Sequence, residues 1–240
     1  MRILTILLLI FVLFCPINLM AQSLPQWLVP LREAIYEHRL TANQIVPVYN
    51  TARAAARENL SGTALDLALS RCEFFMGRAL LFEERNQQAR PHFAEGLRLA
   101  EGVIQTAPNA EAWVLRAENL AHLCQIGPWS FTVANGLDVD KFAKNALNLN
   151  RRNAAAQYLV AARWVFAPAP FHNHRRGIEM MEAITRNSDM QKDDRFNVFS
   201  AIGYAYLQQN KPAEARPWVL RAQEIYPSNK FAAELLAKTN

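Results

Sequence analysis

Four small residues recur down the chain, Gly77, Ala117, Ala161 and Gly203, at intervals of 40, 44 and 42. Each stands in the middle of a stretch whose apolar residues follow helical spacing. A helix needs a small side chain at mid-length when a second helix crosses it at the short end of the ~8–10 Å interaxial range. The best-formed example is "IGYAYLQQNKPAEARPWVLRAQEIYP", residues 202–227. Gly203 and Ala215 are small at the two crossing points, and Tyr206, Val219 and Ala222 fill the seam. Pro227 ends the second helix. An ordinary helical hairpin does not require a small residue on both partners.

The rest of the chain follows the same style. Apolar periodicity predicts helices over 26–38, 42–60, 62–84, 87–105, 110–124, 139–149, 154–166, 175–186, 193–209, 212–225 and 229–238. Turn chemistry separates them: "NLSG", "APNA", "IGPW", "NRRN", "APAPF", "RNSD", "QNKP" and "YPSN". No alternating apolar run is bounded by hairpin turn signals, so no sheet is expected. With 240 residues, 51% of them hydrophobic, the chain can bury a sizeable core. The fold class is all-α, and helices paired through short turns predict an α-solenoid with terminal capping helices.

Phe199, Ile202, Gly203 and Tyr206 stand at the spacing W-x2-L-G-x2-Y, Ala215 and Val219 at A-x3-F, and Ala222 and Pro227 follow. This resembles the tetratricopeptide repeat (TPR), a helix–turn–helix unit of about 34 residues. Earlier copies are more degenerate. Gly77, Ala89 and Phe93 fit one, Trp113, Ala117 and Leu120 the next, and Val160, Ala161 and Trp164 a third. Insertions stretch the period, and the resemblance covers about residues 70–229. Residues 26–60 read as a further degenerate pair or a cap, and 229–238 as a polar-faced cap.

The resemblance implies a concave groove lined by the first helix of each pair. Carried over by register, it places Arg71, Phe74, Arg78 and Phe82 there, then Glu111, Val114, Glu118 and His122. Tyr158, Ala162 and Phe166 follow, then Asn197, Ser200, Tyr204 and Gln208. Such a surface implies a protein or peptide partner held by polar contacts and aromatic anchors. Phe74 and Phe166 are equally readable as core between repeats. A small-ligand carrier or a transporter-associated partner protein is the alternative, and an enzyme with its site in the insertions comes last.

Two insertions, "QIGPWSFTVANGLDVD" and "APAPFHNH", fall between the two helices of consecutive repeats. Both read as loops on one edge of the solenoid, with Trp129, Phe131 and Phe171 expected to cluster there and His172 and His174 at the rim. "FHNH" is too sparse for a metal site, so no metal and no cofactor is expected. No Ser or Cys has a His/Asp context for nucleophilic catalysis. The adjacent pairs Glu83–Glu84 and Asp193–Asp194 read as solvated or helix-end charges.

The N-terminus reads "MRILTILLLIFVLFCPINLMAQS". One Arg precedes the apolar run 3–14, Pro16 and Asn18 break it, and Ala21 offers a cleavage point. This is the pattern of a signal peptide over 1–21, with a periplasmic or secreted mature domain over 22–240. The run is short of the ~20 residues that span a bilayer. Phe14 before Cys15 does not suit lipidation. Removal of Arg2 lowers the net charge from +5 to +4, with both signs interspersed, so nucleic acid is not an expected partner. Cys72 and Cys124 lie about 12 positions out of step on parallel helices, roughly 18 Å, beyond the ~7 Å reach of a disulfide.

Overall fold

The computed structural model describes residues 24–187 and 189–240. The signal-peptide segment, including Cys15, lies outside the described residues. After a 3-10 turn at Gln26–Leu28 come α1 (Val29–Glu37), α2 (Ala42–Asn59), α3 (Gly62–Phe82) and α4 (Asn86–Thr106). Then come α5 (Ala110–Ile126), α6 (Trp129–Leu149), α7 (Ala154–Phe166) and α8 (His174–Ile184). The chain ends with α9 (Lys192–Gln208), α10 (Pro212–Ile225) and α11 (Lys230–Ala237). Consecutive helices pack on one another from α2 to α11. Four pairs, α3/α4, α5/α6, α7/α8 and α9/α10, make an α-solenoid, and α11 caps it.

The small residues sit where helices touch. A methyl group on Gly203 would lie 2.5 Å from Val219 Cγ2, and one on Gly77 would lie 2.7 Å from the Phe93 ring. Gly177 meets Val165 Cγ2 at 2.6 Å in the same sense. Ala117, Ala161 and Ala215 are fully buried. Between the first two pairs, Gly96 abuts the buried Asn119, and its carbonyl accepts from Ser70 Oγ at 2.7 Å.

The starts of the helices explain the turn residues. The side chains of Asn109, Asn153 and Asn229 accept from the backbone N–H groups of Ala112, Ala156 and Ala232 at 2.8–3.1 Å. These caps open α5, α7 and α11. Gln191 opens α9, where its N–H donates to Asp194 Oδ2 at 2.9 Å. Each satisfies an amide that a helix end leaves without a partner.

The first insertion is not a loop. Residues 129–138, read as irregular, are the opening turns of the 21-residue α6. Phe131 packs back on Gly127 and the core, and Thr132 Oγ1 donates to the Cys124 carbonyl at 2.7 Å. Those anchors outweigh the weak helix propensity of Trp, Thr, Val and Asn. The expected cluster of Trp129, Phe131 and Phe171 is not formed. Trp129 and Phe171 stay 64% and 63% exposed, while Phe131 joins the core. Trp129, Val133 and Leu137 instead form an exposed ridge at i, i+4 and i+8 of α6.

The first helix is held in two ways: α1 packs on α2 and α3, as the first helix of a degenerate pair does, and it also reaches across to α9. It buries Leu31, Ile35 and Tyr36 almost completely, with Leu28 just before it, and its polar contacts with α9 join the first helix of the fourth pair to this end of the protein. Glu33 pairs with Lys192 at 2.5 Å, and Arg32 approaches Asp193 at 3.6 Å. Asn229 Nδ2 donates to the Tyr36 carbonyl at 2.7 Å, and Arg39 reaches Ser228 at 2.8 Å. In this way α1 ties one end of the solenoid to the other. Cys72 and Cys124 are buried free thiols.

Candidate functional site: the concave groove

The groove is built by α3, α5, α7 and α9 lying side by side. Their register brings Arg71 of α3 to two carboxylates of α5, Glu111 at 2.6 Å and Glu118 at 2.5 Å. Only Glu111 is well exposed, so this network is largely withdrawn from water. Burial pushes the Glu118 carboxyl up to about 7 against the pull of Arg71, with Glu111 and Asp193 adding to the rise. Asp194, buried at the start of α9, is also pushed up to about 7, by burial and then by Asp193. Of the adjacent acids, Asp193 and Asp194 are helix-end residues, and Glu83 accepts from the Ala42 N–H at 2.7 Å.

Arg78 is the centre of the groove. Its guanidinium lies 4.5 Å from the Tyr36 ring centroid, 5.3 Å from that of Phe82 and 5.6 Å from that of Phe74. It donates to Tyr36 Oη at 2.5 Å, and Asn197 Nδ2 donates to the same oxygen at 3.1 Å. A planar cation among three rings is strongly held. Tyr36 also stacks on Tyr226 at 4.9 Å and meets Phe196 edge-on at 5.6 Å. Two predicted groove residues, Arg78 and Asn197, are therefore engaged by the chain's own α1. A third, Phe82, holds the ring of His38 at 4.1 Å.

His122 stacks on Phe93 at 4.8 Å and lies 5.5 Å from Phe74. Its pKa is lowered to about 4 by burial and by the neighbouring charge of Arg78. Burial pushes the Tyr158 hydroxyl up to about 12. Phe74, Val114 and Ser200 are buried and form the floor rather than the surface. Phe74 is therefore core, covered by Arg71 and Arg78. Towards the turns that join the two helices of each pair, the groove stays open. Phe82 is 43% and Phe166 45% exposed there, Phe166 lies 5.2 Å from Tyr204, and Gln208 faces solvent.

The second insertion stays irregular up to Asn173, whose side chain caps α8. The rings of His172 and His174 stack at 4.3 Å. Among the described residues no three His, Cys, Asp or Glu side chains gather as a metal would require. None of the described helices is long and apolar enough to cross a membrane. Sequence reasoning missed Arg32, Glu33, Tyr36, Lys192 and Tyr226, the residues that close the groove. The only signal was the apolar spacing of Leu28, Leu31 and Ile35, which marks a buried face without naming what covers it.

Four stacked pairs with small residues at their crossings define an α-solenoid of the tetratricopeptide type. Among solved structures, the thermophilic TPR protein TTC0263 of Thermus thermophilus shares this fold at a TM-score of 0.59 and 13% identity, over 89% of this chain and 98% of that one. A looser likeness, TM-score 0.35 at 14% identity over 87% and 89%, is to YrrB, a TPR protein with an unusual peptide-binding site. No family model matches the sequence, and no curated protein matches it.

Proposed function

We propose that this protein is an exported, non-catalytic adaptor that binds a segment of another protein at the open, turn-side end of its concave groove. The observation that carries this is the division of the groove into two parts. Its inner part is filled by α1 and by the Arg71–Glu111–Glu118 network, whose charges satisfy one another. Its outer part presents Phe82, Phe166 and Tyr204, aromatic surface that nothing in the described chain covers fully. Exposed aromatics at the mouth of a rigid groove are the usual anchors of a peptide or helix partner. Export rests on the signal-peptide pattern of residues 1–21, and N-terminal sequencing is expected to find Gln22 first.

A photo-crosslinking residue in place of Phe166 tests the site in the host. It is expected to capture a partner that the same residue at Leu220, exposed on α10, does not capture. A partner that crosslinks equally at both positions, or only at Leu220, refutes the groove reading.

A further inference from the structure

Two open clefts lie side by side on the opposite edge, where one helix pair passes to the next. The first, of about 510 Å³, opens because the 21-residue α6 stands beside the 13-residue α7 and the 11-residue α8. Its floor is Leu147, Val160, Met180 and Ile184. The second, of about 340 Å³, has Met190, Phe199 and Ile225 for its floor. Asn187 belongs to both. Its Nδ2 donates to the Arg152 carbonyl at 2.7 Å and to Gln157 Oε1 at 3.0 Å, which fixes it as a polar ridge between two apolar floors.

The charge around the clefts is one-sided. Arg152, Arg186, Arg195 and Arg221 line them, against the single carboxylate of Glu224. Arg152 pairs with Asp189 at 2.9 Å. Arg186, Arg195 and Arg221 make no ion pair among the described residues, so three guanidinium groups gather here without a carboxylate of their own. The Arg221 guanidinium lies 4.0 Å from the Phe199 ring centroid and 4.9 Å from that of Trp218. Contact with two rings restrains a guanidinium whose N–H groups can still meet a carboxylate.

We propose that this double cleft binds an extended acidic peptide segment of a partner protein. One apolar side chain enters each cleft, and carboxylates meet Arg186, Arg195 and Arg221. A single alkyl chain lying in both clefts would have to cross the Asn187 amide. An extended peptide crosses that ridge with its own polar backbone, and every second side chain faces the protein surface. The site is separate from the aromatic groove mouth, so the two readings stand or fall independently.

The probe is a short labelled peptide in which leucine and glutamate take turns at every second position with serine between, so that both face the same side of an extended chain; it is titrated at low salt and followed by fluorescence anisotropy. Its counterpart carries lysine for each glutamate. The acidic peptide is expected to bind, to weaken as salt is added, and to bind about tenfold more weakly or worse to the double variant Arg186→Glu, Arg195→Glu. Both positions are exposed, so the variant is expected to melt like the parent. Methyl-labelled methionine supplies the location: Met180 and Met190, which line the clefts, shift on binding, and Met76 of α3, which lines neither, does not. Absence of binding, equal binding to the double variant, equal binding of the lysine peptide, or shifts that spare Met180 and Met190 would each overturn the proposal. Tighter binding of a single-stranded oligonucleotide at the same methionines would overturn the peptide assignment.

Discussion

Replacing Gly203 by alanine tests the tightest seam of the solenoid. Alone in a helix, glycine to alanine gains about 1 kcal/mol. Here the new methyl would stand 2.5 Å from Val219 Cγ2, where carbon atoms prefer about 3.5–4.0 Å. Val219 is fully buried and β-branched, so it cannot turn aside within its helix. One helix must therefore move by about 1 Å, and overpacking of this kind costs about 1–3 kcal/mol. The net expectation is a loss of about 1 kcal/mol, or about 2–4 °C in Tm for a protein of this size. The control is Gly102→Ala. Gly102 is exposed in α4 with no atom within 4 Å of the new methyl, and it is expected to gain about 0.5–1 kcal/mol. Urea unfolding followed by circular dichroism measures both. If the two variants gain equally, the helices do not approach at Gly203 and the repeat packing is wrong.

Three further outcomes are expected. Tyr36→Phe keeps the ring but deprives the half-buried Arg78 and Asn197 of their acceptor, which is expected to cost about 1 kcal/mol; an unchanged urea midpoint would mean that α1 is not seated across the groove. Asn153→Ala removes the cap of α7 and is expected to cost about 1 kcal/mol by the same assay. The pH profile balances two opposing sets. Glu118 and Asp194, raised to about 7, contribute stability that is present in acid and lost as pH rises towards 7. His122 and His38, lowered to about 4, contribute the reverse, a loss as pH falls from 6.5 towards 4. His122→Phe keeps the stack on Phe93 and removes one of the losing groups. It is expected to gain on the parent by about 1–2 kcal/mol between pH 7.5 and pH 5, and a pH-independent difference would contradict the buried neutral histidine.

What the sequence revealed was local. The small residues at 77, 117, 161 and 203 specify helix crossings because only close approach demands them at mid-helix. Asn109, Asn153 and Asn229 mark helix starts by capping chemistry that acts within one turn. The opening of α6 was misread for the same reason. Its residues 129–138 lack helix propensity of their own, and what makes them helical is Phe131 and Thr132 anchoring on α5, contacts that spacing does not display. Tyr36 was illegible as a groove residue. Its partners are Arg78, Asn197 and Tyr226, between 42 and 190 positions away, and no periodicity links them.

The position of α1 decides how the groove can be used. A partner laid along the whole concave face would have to displace a helix that buries Leu31, Ile35 and Tyr36, each contributing about 1.5–3 kcal/mol by burial. It would also strand Arg78 and Asn197 without the Tyr36 oxygen. Only a partner that remade those contacts could offset such a loss. A partner confined to the turn-side end displaces nothing. It meets Phe82, Phe166 and Tyr204 where they already face water, and α1 joins α3 and α9, the helices that carry Phe82 and Tyr204. The same helix that shortens the usable groove therefore prepares what remains of it, because rigid aromatics lose little entropy when they are covered.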